Sequence, residues 1–116
     1  MEGYANLTND GGIQKKVLAA GNGPDAVNGK KCQVHYTGTF QDGNVFDSSV
    51  QRGTPFEFSL GAGQVIKGWD LGVLSMKQGE KAHFILSPDY AYGSRGAGGV
   101  IPANATLCFE VEFIKQ

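Results

Sequence analysis

Residues 61–74 read GAGQVIKGWDLGVL. Val65, Ile66, Trp69 and Val73 fall on one side at helical spacing, while Lys67 and Asp70 point away, so the pattern predicts a short helix with one apolar face. That helix contains glycines at 68 and 72, which weaken it, and the only tryptophan of the chain. A large aromatic on such a face serves either as core or as binding surface. Gly61-Ala62-Gly63 ahead of it invites comparison with a phosphate loop, but the third glycine of GxGxxG would fall at Ile66, and no parallel βαβ pattern surrounds it. A turn followed by the start of a helix is the better reading.

Working outward, Ile13 to Ala19 and Lys31 to Phe40 read as strands. In the second, Cys32, Val34, Tyr36 and Phe40 alternate with Lys31, Gln33, His35 and Thr37, as in a strand with one wet face. Asp42-Gly43 then predicts a hairpin or bulged corner. Phe56, Phe58 and Leu60 alternate again just after Pro55. Lys81 to Ser87 and Thr106 to Ile114 complete five strand candidates. Between the last two runs Pro88 to Ala105, rich in glycine, a loop long enough to suggest function. Five strands against one helix imply an α+β fold, an antiparallel sheet whose apolar face the helix covers, with Trp69 turned toward the sheet.

At 116 residues the chain reads as one domain, burying about two-thirds of the surface its unfolded form exposes. Residues 1–11 are expected to be loosely ordered. There are 18 glycines, and 10 basic against 11 acidic residues give a net charge of −1. The basic residues are scattered, so neither nucleic acid nor an anionic membrane is an expected partner. No apolar run approaches the roughly 20 residues of a spanning helix, and MEGYANLTNDGG lacks the features of a secretion signal, so a soluble, cytoplasmic protein is expected. Cys32 and Cys108 fit neither a disulfide framework nor a zinc pattern and are read as reduced, packed thiols. The sequons at Asn6 and Asn104 are read as coincidence.

His35 and His83 sit on polar sides of their strands with no metal-ligand spacing beside them, and are expected to be exposed. Neither metal nor cofactor is expected. Ser48 and Ser49 lack a nucleophile elbow or a base partner, so any catalysis would be non-covalent. What remains is a set of aromatics drawn from helix, strands and loop, which fits a lined cavity about as well as a filled core.

VHYTGTFQDGNVFDSS (34–49), GQVIKGWDLGV (63–73), QGEKAHF (78–84) and AYGSRGAGGVIPANATLCFEVE (91–112) closely resemble the FKBP family of peptidyl-prolyl cis/trans isomerases, immunophilins that bind tacrolimus and rapamycin. The match runs from about residue 12 to the C-terminus. The resemblance implies a five-stranded antiparallel sheet wrapped around one short helix. It also implies a pocket lined by Tyr36, Phe46, Asp47, Arg52, Phe56, Val65, Ile66, Trp69, Tyr92, Ile101 and Phe109. Trp69 would be its floor, and Asp47, Tyr92, Phe46 and Trp69 would act on the bond. Proline-containing peptides and proteins are then the substrates, macrolides of the tacrolimus and rapamycin type the ligands, and calcineurin or TOR a possible drug-dependent partner of a monomer. Gly98 and Gly99 follow Ala97 where many relatives carry proline, which implies a more mobile loop tip. A binding module with incidental turnover and a small oligonucleotide-binding barrel are the alternatives, the second opposed by the net charge.

Overall fold

The computed structural model describes residues 3–116. The strands are β1 (Ala5–Asn6), β2 (Ile13–Ala19), β3 (Lys31–Phe40), β4 (Val45–Ser48), β5 (Phe56–Ser59), β6 (Lys81–Leu86) and β7 (Leu107–Lys115). The helices are α1 (Ser49–Arg52) and α2 (Lys67–Leu74), with a 3₁₀ turn at Pro88–Tyr90. All the pairings are antiparallel, in the order β1-β2-β6-β7-β3-β4, with β5 also on β3.

Seven strands replace the five expected, for two local reasons. β4 pairs with residues 37–39 of β3 and β5 with residues 31–34, so the two share one edge of β3 as a single interrupted column. The interruption is α1, capped at its N-terminus by Ser48, whose Oγ accepts from the Gln51 N–H at 3.2 Å. The turn at Asp42-Gly43 is the expected hairpin, closed by the Gly43 N–H to the Phe40 carbonyl at 3.0 Å, with a register shift between Gly38 and Thr39. The other addition is β1, in the segment expected to be loosely ordered. Its described part is tied down instead: Ala5 and Asn6 pair with β2, and the Tyr4 hydroxyl meets His83 Nδ1 at 2.7 Å. Residues 1–2 lie outside the described residues.

The alternation read in β3, β6 and β7 sends Cys32, Val34 and Tyr36, then Ala82, Phe84 and Leu86, then Leu107, Phe109, Val111 and Phe113 into one core. Helix α2 closes it with Trp69 and Val73. The helix must lie very close to the sheet, and its glycines permit this. A Cβ at Gly68 would stand 2.4 Å from Leu86 Cδ1 of β6, and one at Gly72 3.0 Å from Phe84 Cε1. Asp70 is not idle on the outer side of the helix. Its two carboxylate oxygens accept the N–H groups of Gly61 and Gly63, at 2.9 and 3.1 Å, and bind the preceding turn to the helix. No helix among the described residues is long and apolar enough to cross a membrane.

Both histidines depart from expectation, being half-buried rather than exposed. His35 Nδ1 meets Ser49 Oγ at 2.9 Å, and His83 sits edge-on to Tyr4. The cause is packing by other segments: α1 folds against β3, where Ser49 meets His35, and Tyr4, just before β1, packs against His83 of β6. Cys32 and Cys108 are both free thiols. Burial, followed by the nearby carboxylates of Asp70 and Glu57, pushes the Cys32 thiol up to about 11, so it stays protonated at neutral pH.

Candidate functional site

The sheet does not close over α2 completely. At one end a cavity of about 160 Å³ opens to solvent, lined by Tyr36, Phe46, Asp47, Phe56, Gln64, Val65, Ile66, Trp69, Tyr92 and Phe109. Trp69 forms its base. The rings of Tyr36, Phe56 and Phe109 stand 4.7, 5.8 and 5.3 Å from the indole at interplanar angles of 78°, 83° and 89°. Set nearly perpendicular to the indole, these rings make edge-to-face pairs with it, each favourable, and line the cavity together with it. The indole N–H is buried and finds no acceptor among the described residues.

Each wall is placed by its element. Tyr36 and Phe109 project inward from β3 and β7, Phe46 and Asp47 from β4, and Phe56 from the first position of β5. Val65 and Ile66 precede α2, whose N-cap Ile66 makes no side-chain capping bond, and Tyr92 enters from the long loop. Phe46 rests on Phe109 at 5.7 Å and on Phe40 at 5.0 Å.

One wall is polar. The Tyr36 hydroxyl donates to Asp47 Oδ2 at 2.5 Å, Arg52 pairs with Asp47 Oδ1, and Arg52 Nη2 donates to the Tyr36 oxygen at 3.0 Å. The Arg52 guanidinium also lies 5.6 Å from the Tyr36 ring centroid. Burial alone would raise the Asp47 carboxyl, but the hydrogen bonds from Tyr36 and Arg52 outweigh it and hold the group below the usual carboxylate range. Burial, and then the hydrogen bond to Asp47, raise the Tyr36 phenol. Tyr92 is 41% exposed, and its phenol is raised by partial burial and then by the Asp47 carboxylate. Asp47 is therefore ionised, and both tyrosines are protonated donors, at neutral pH.

Of the eleven residues inferred from the resemblance, nine line the cavity. Arg52 stands behind Asp47 and reaches the site through it. Ile101 is buried in the core, its backbone joined to Ala97 by bonds of 2.9 and 3.0 Å in the long loop. Gln64 is an additional lining residue, its Oε1 accepting the Ser59 N–H at 2.9 Å. Nothing in its type or spacing announced it. Gly38, also unremarked in the sequence, underlies Phe46 and Phe109: a Cβ there would stand 2.7 and 2.8 Å from their ring atoms. Among the described residues no three His, Cys, Asp or Glu side chains gather as a metal site would require.

An aromatic hollow with an ionised carboxylate at its rim is the kind of site that binds a compact apolar group beside a polar one. Comparison with known proteins narrows this. The family model described as FKBP-type peptidyl-prolyl cis-trans isomerase matches residues 23–114, and the chain belongs to that family of enzymes. It is 56% identical over 103 residues to FK506-binding protein 1 of Dictyostelium discoideum, covering 89% of this chain and 96% of that one. To the peptidyl-prolyl cis-trans isomerase Fkbp12 of Drosophila melanogaster it is 54% identical over 105 residues, covering 90% and 97%. Among solved structures, the crystal structure of AtFKBP13 superposes with a TM-score of 0.91 at 38% identity, over 97% of this chain and 98% of that one.

Proposed function

We propose that the aromatic hollow catalyses rotation about X-Pro bonds without covalent chemistry, and that tacrolimus and rapamycin bind in the same place. The observation that carries this is a cavity open to solvent, lined by Trp69 with Tyr36, Phe56 and Phe109 set nearly perpendicular to its indole, a slot for a compact saturated ring such as that of proline. Rotation breaks amide resonance, against a barrier of about 20 kcal/mol that leaves the uncatalysed step at roughly 10–100 s. A twisted amide is less dipolar at its carbonyl than a planar one, so an apolar, water-poor site favours the twist over the ground state.

The polar rim then orients the substrate. The Ile66 N–H anchors the carbonyl on the C-terminal side of proline, the Tyr92 hydroxyl donates to a second carbonyl, and Asp47 lies beside the twisting one. Asp47 is held in place by Tyr36 and Arg52. A rate gain of about 10⁴ requires only about 5.5 kcal/mol of differential stabilisation, within reach of burial and two or three hydrogen bonds. A drug bound here would present the 88–105 loop to a partner such as calcineurin or TOR. Action as a monomer in the cytoplasm belongs to the same reading, and two free thiols are in keeping with a reducing compartment.

The test is a protease-coupled or NMR exchange assay on a peptide with a bulky apolar residue before proline, combined with tacrolimus titration followed by Trp69 fluorescence. Acceleration abolished in step with the fluorescence change is expected. Turnover that persists once the fluorescence titration is saturated would place the chemistry elsewhere.

A further inference from the structure

The segment before β2 does more than cover an edge. The turn Thr8–Gly12 is closed on itself: the Thr8 hydroxyl donates to Asp10 Oδ1 at 2.6 Å, and the Gly12 N–H is shared by Thr8 Oγ1 and Asp10 Oδ1 at 3.2 and 3.0 Å. It is also bound to the root of the long loop. The Gly12 carbonyl accepts the Ser87 N–H at 2.8 Å, and the Tyr90 hydroxyl donates to Asp10 Oδ2 at 2.9 Å. Gly12 is buried directly beneath Tyr90, and any Cβ at residue 12 would drive into the tyrosine ring and stand 2.9 Å from Ser87 Oγ. The carbonyl of Tyr90 in turn faces Gly68 of α2, at 2.9 Å from where a Cβ there would stand. Tyr90 thus lies between the N-terminal turn and the helix that carries Trp69, two residues before Tyr92.

We infer that Tyr90, gripped by Gly12 and Asp10, is a positioning residue for the isomerase site: the turn at 8–12 fixes where the Tyr92 loop leaves the sheet and how it meets the helix bearing the cavity floor. This rests on the role given above to Tyr92. The loop beyond is held mainly by its own backbone bonds, from the Gly93 N–H to the Pro88 carbonyl at 2.9 Å and from the Asn104 N–H to the Gly93 carbonyl at 2.8 Å. Its placement relative to the cavity is therefore set at its root. A turn lying outside the cavity becomes part of the catalytic geometry, because misplacement of a substrate-contacting group by about 1 Å can cost up to about 10²-fold in rate.

The experiment is a double-mutant cycle on the full chain, with kcat and KM measured on an X-Pro peptide. Gly12→Ala, which wedges the Tyr90 ring, is expected to lower kcat/KM about tenfold in the parent but less than about twofold when Tyr92 is already Phe. Tyr90→Phe removes only the hydroxyl held by Asp10 and cannot disrupt packing. It should cost about threefold with the same dependence on Tyr92, and it decides the question should Gly12→Ala not fold. Equal losses in both Tyr92 backgrounds, or no loss in either variant, would overturn the inference while leaving the role of Tyr92 intact. A Tyr92→Phe enzyme as active as its parent would overturn both.

Discussion

A methyl group added at Gly38 probes the cavity from behind, where no substrate reaches. The new Cβ would lie 2.7 Å from Phe46 Cζ and 2.8 Å from Phe109 Cε1, whereas ordinary contact begins at 3.4 Å, so each ring must retreat by 0.6 to 0.7 Å. The two rings cannot yield equally. Phe109 is 3% exposed and sits opposite Phe84 in the ladder, while Phe46 is only partly buried at the mouth. Phe46 should move, into the space a proline ring would use.

The backbone at Gly38 is not left-handed, so alanine is free of φ strain and restricts the unfolded chain, a gain of about 0.4–1 kcal/mol. Overpacking costs about 1–3 kcal/mol. The net loss of about 1–2 kcal/mol corresponds to a fall in Tm of roughly 4–8 °C for a domain of this size. The displaced ring should lower kcat/KM about tenfold, the equivalent of about 1.4 kcal/mol in the barrier, and weaken tacrolimus comparably. The assays are calorimetry, peptide isomerisation and Trp69 fluorescence on one preparation. A Gly38→Ala protein with the lowered Tm but parental turnover and drug affinity would mean that Phe46 and Phe109 do not bound the reacting space.

Asp47→Asn should lower kcat/KM and also remove a pH-dependent part of stability. The folded carboxyl titrates below 3.8, so its contribution is complete above that pH and lost as the pH falls through the lower folded value. Urea midpoints of the two proteins should therefore differ by a constant amount from about pH 7 to 5 and converge in acid, and a gap that persists there would contradict the pairing with Tyr36 and Arg52. At His83, burial holds the imidazole below 6.5 against the opposing pull of Glu110, with a smaller contribution from Lys16. The unfolded chain takes up this proton first, so stability is complete above pH 6.5 and declines as the pH drops toward the folded value. His83→Gln should flatten the stability profile between about pH 7 and 5, and an unchanged slope would remove His83 as its source. Tacrolimus at about 100 times its Kd should stabilise the protein by about 2.7 kcal/mol, raising Tm by roughly 10 °C, and Trp69→Ala should abolish the shift. An equal rise in that variant would place the drug away from the indole.

Local patterns made much of this molecule legible. Alternation over Lys31 to Phe40 and over Thr106 to Ile114 marks β3 and β7 and names the inward residues, because side-chain direction in a strand repeats every two residues whatever the strand pairs with. The helical spacing of Ile66, Trp69 and Val73 likewise identifies α2 and the face it buries. Most of the site residues came from the FKBP resemblance and from these inward positions together.

Tertiary structure alone decided the rest, since it depends on which distant segments meet. Pairing makes β4 and β5 one column of the sheet, although each is only four residues long and α1 divides them. Contact across the fold draws His35 and His83 out of solvent and places Gln64 at the cavity while leaving Ile101 in the core. The same holds for Gly38 under two aromatic rings and Gly12 under Tyr90. A missing Cβ leaves no periodic trace, and its purpose shows only when the chain brings its neighbour within 3 Å. The chain's own pattern decided which residues face inward, and long-range packing decided which of those inward faces remain unfilled and so form a site.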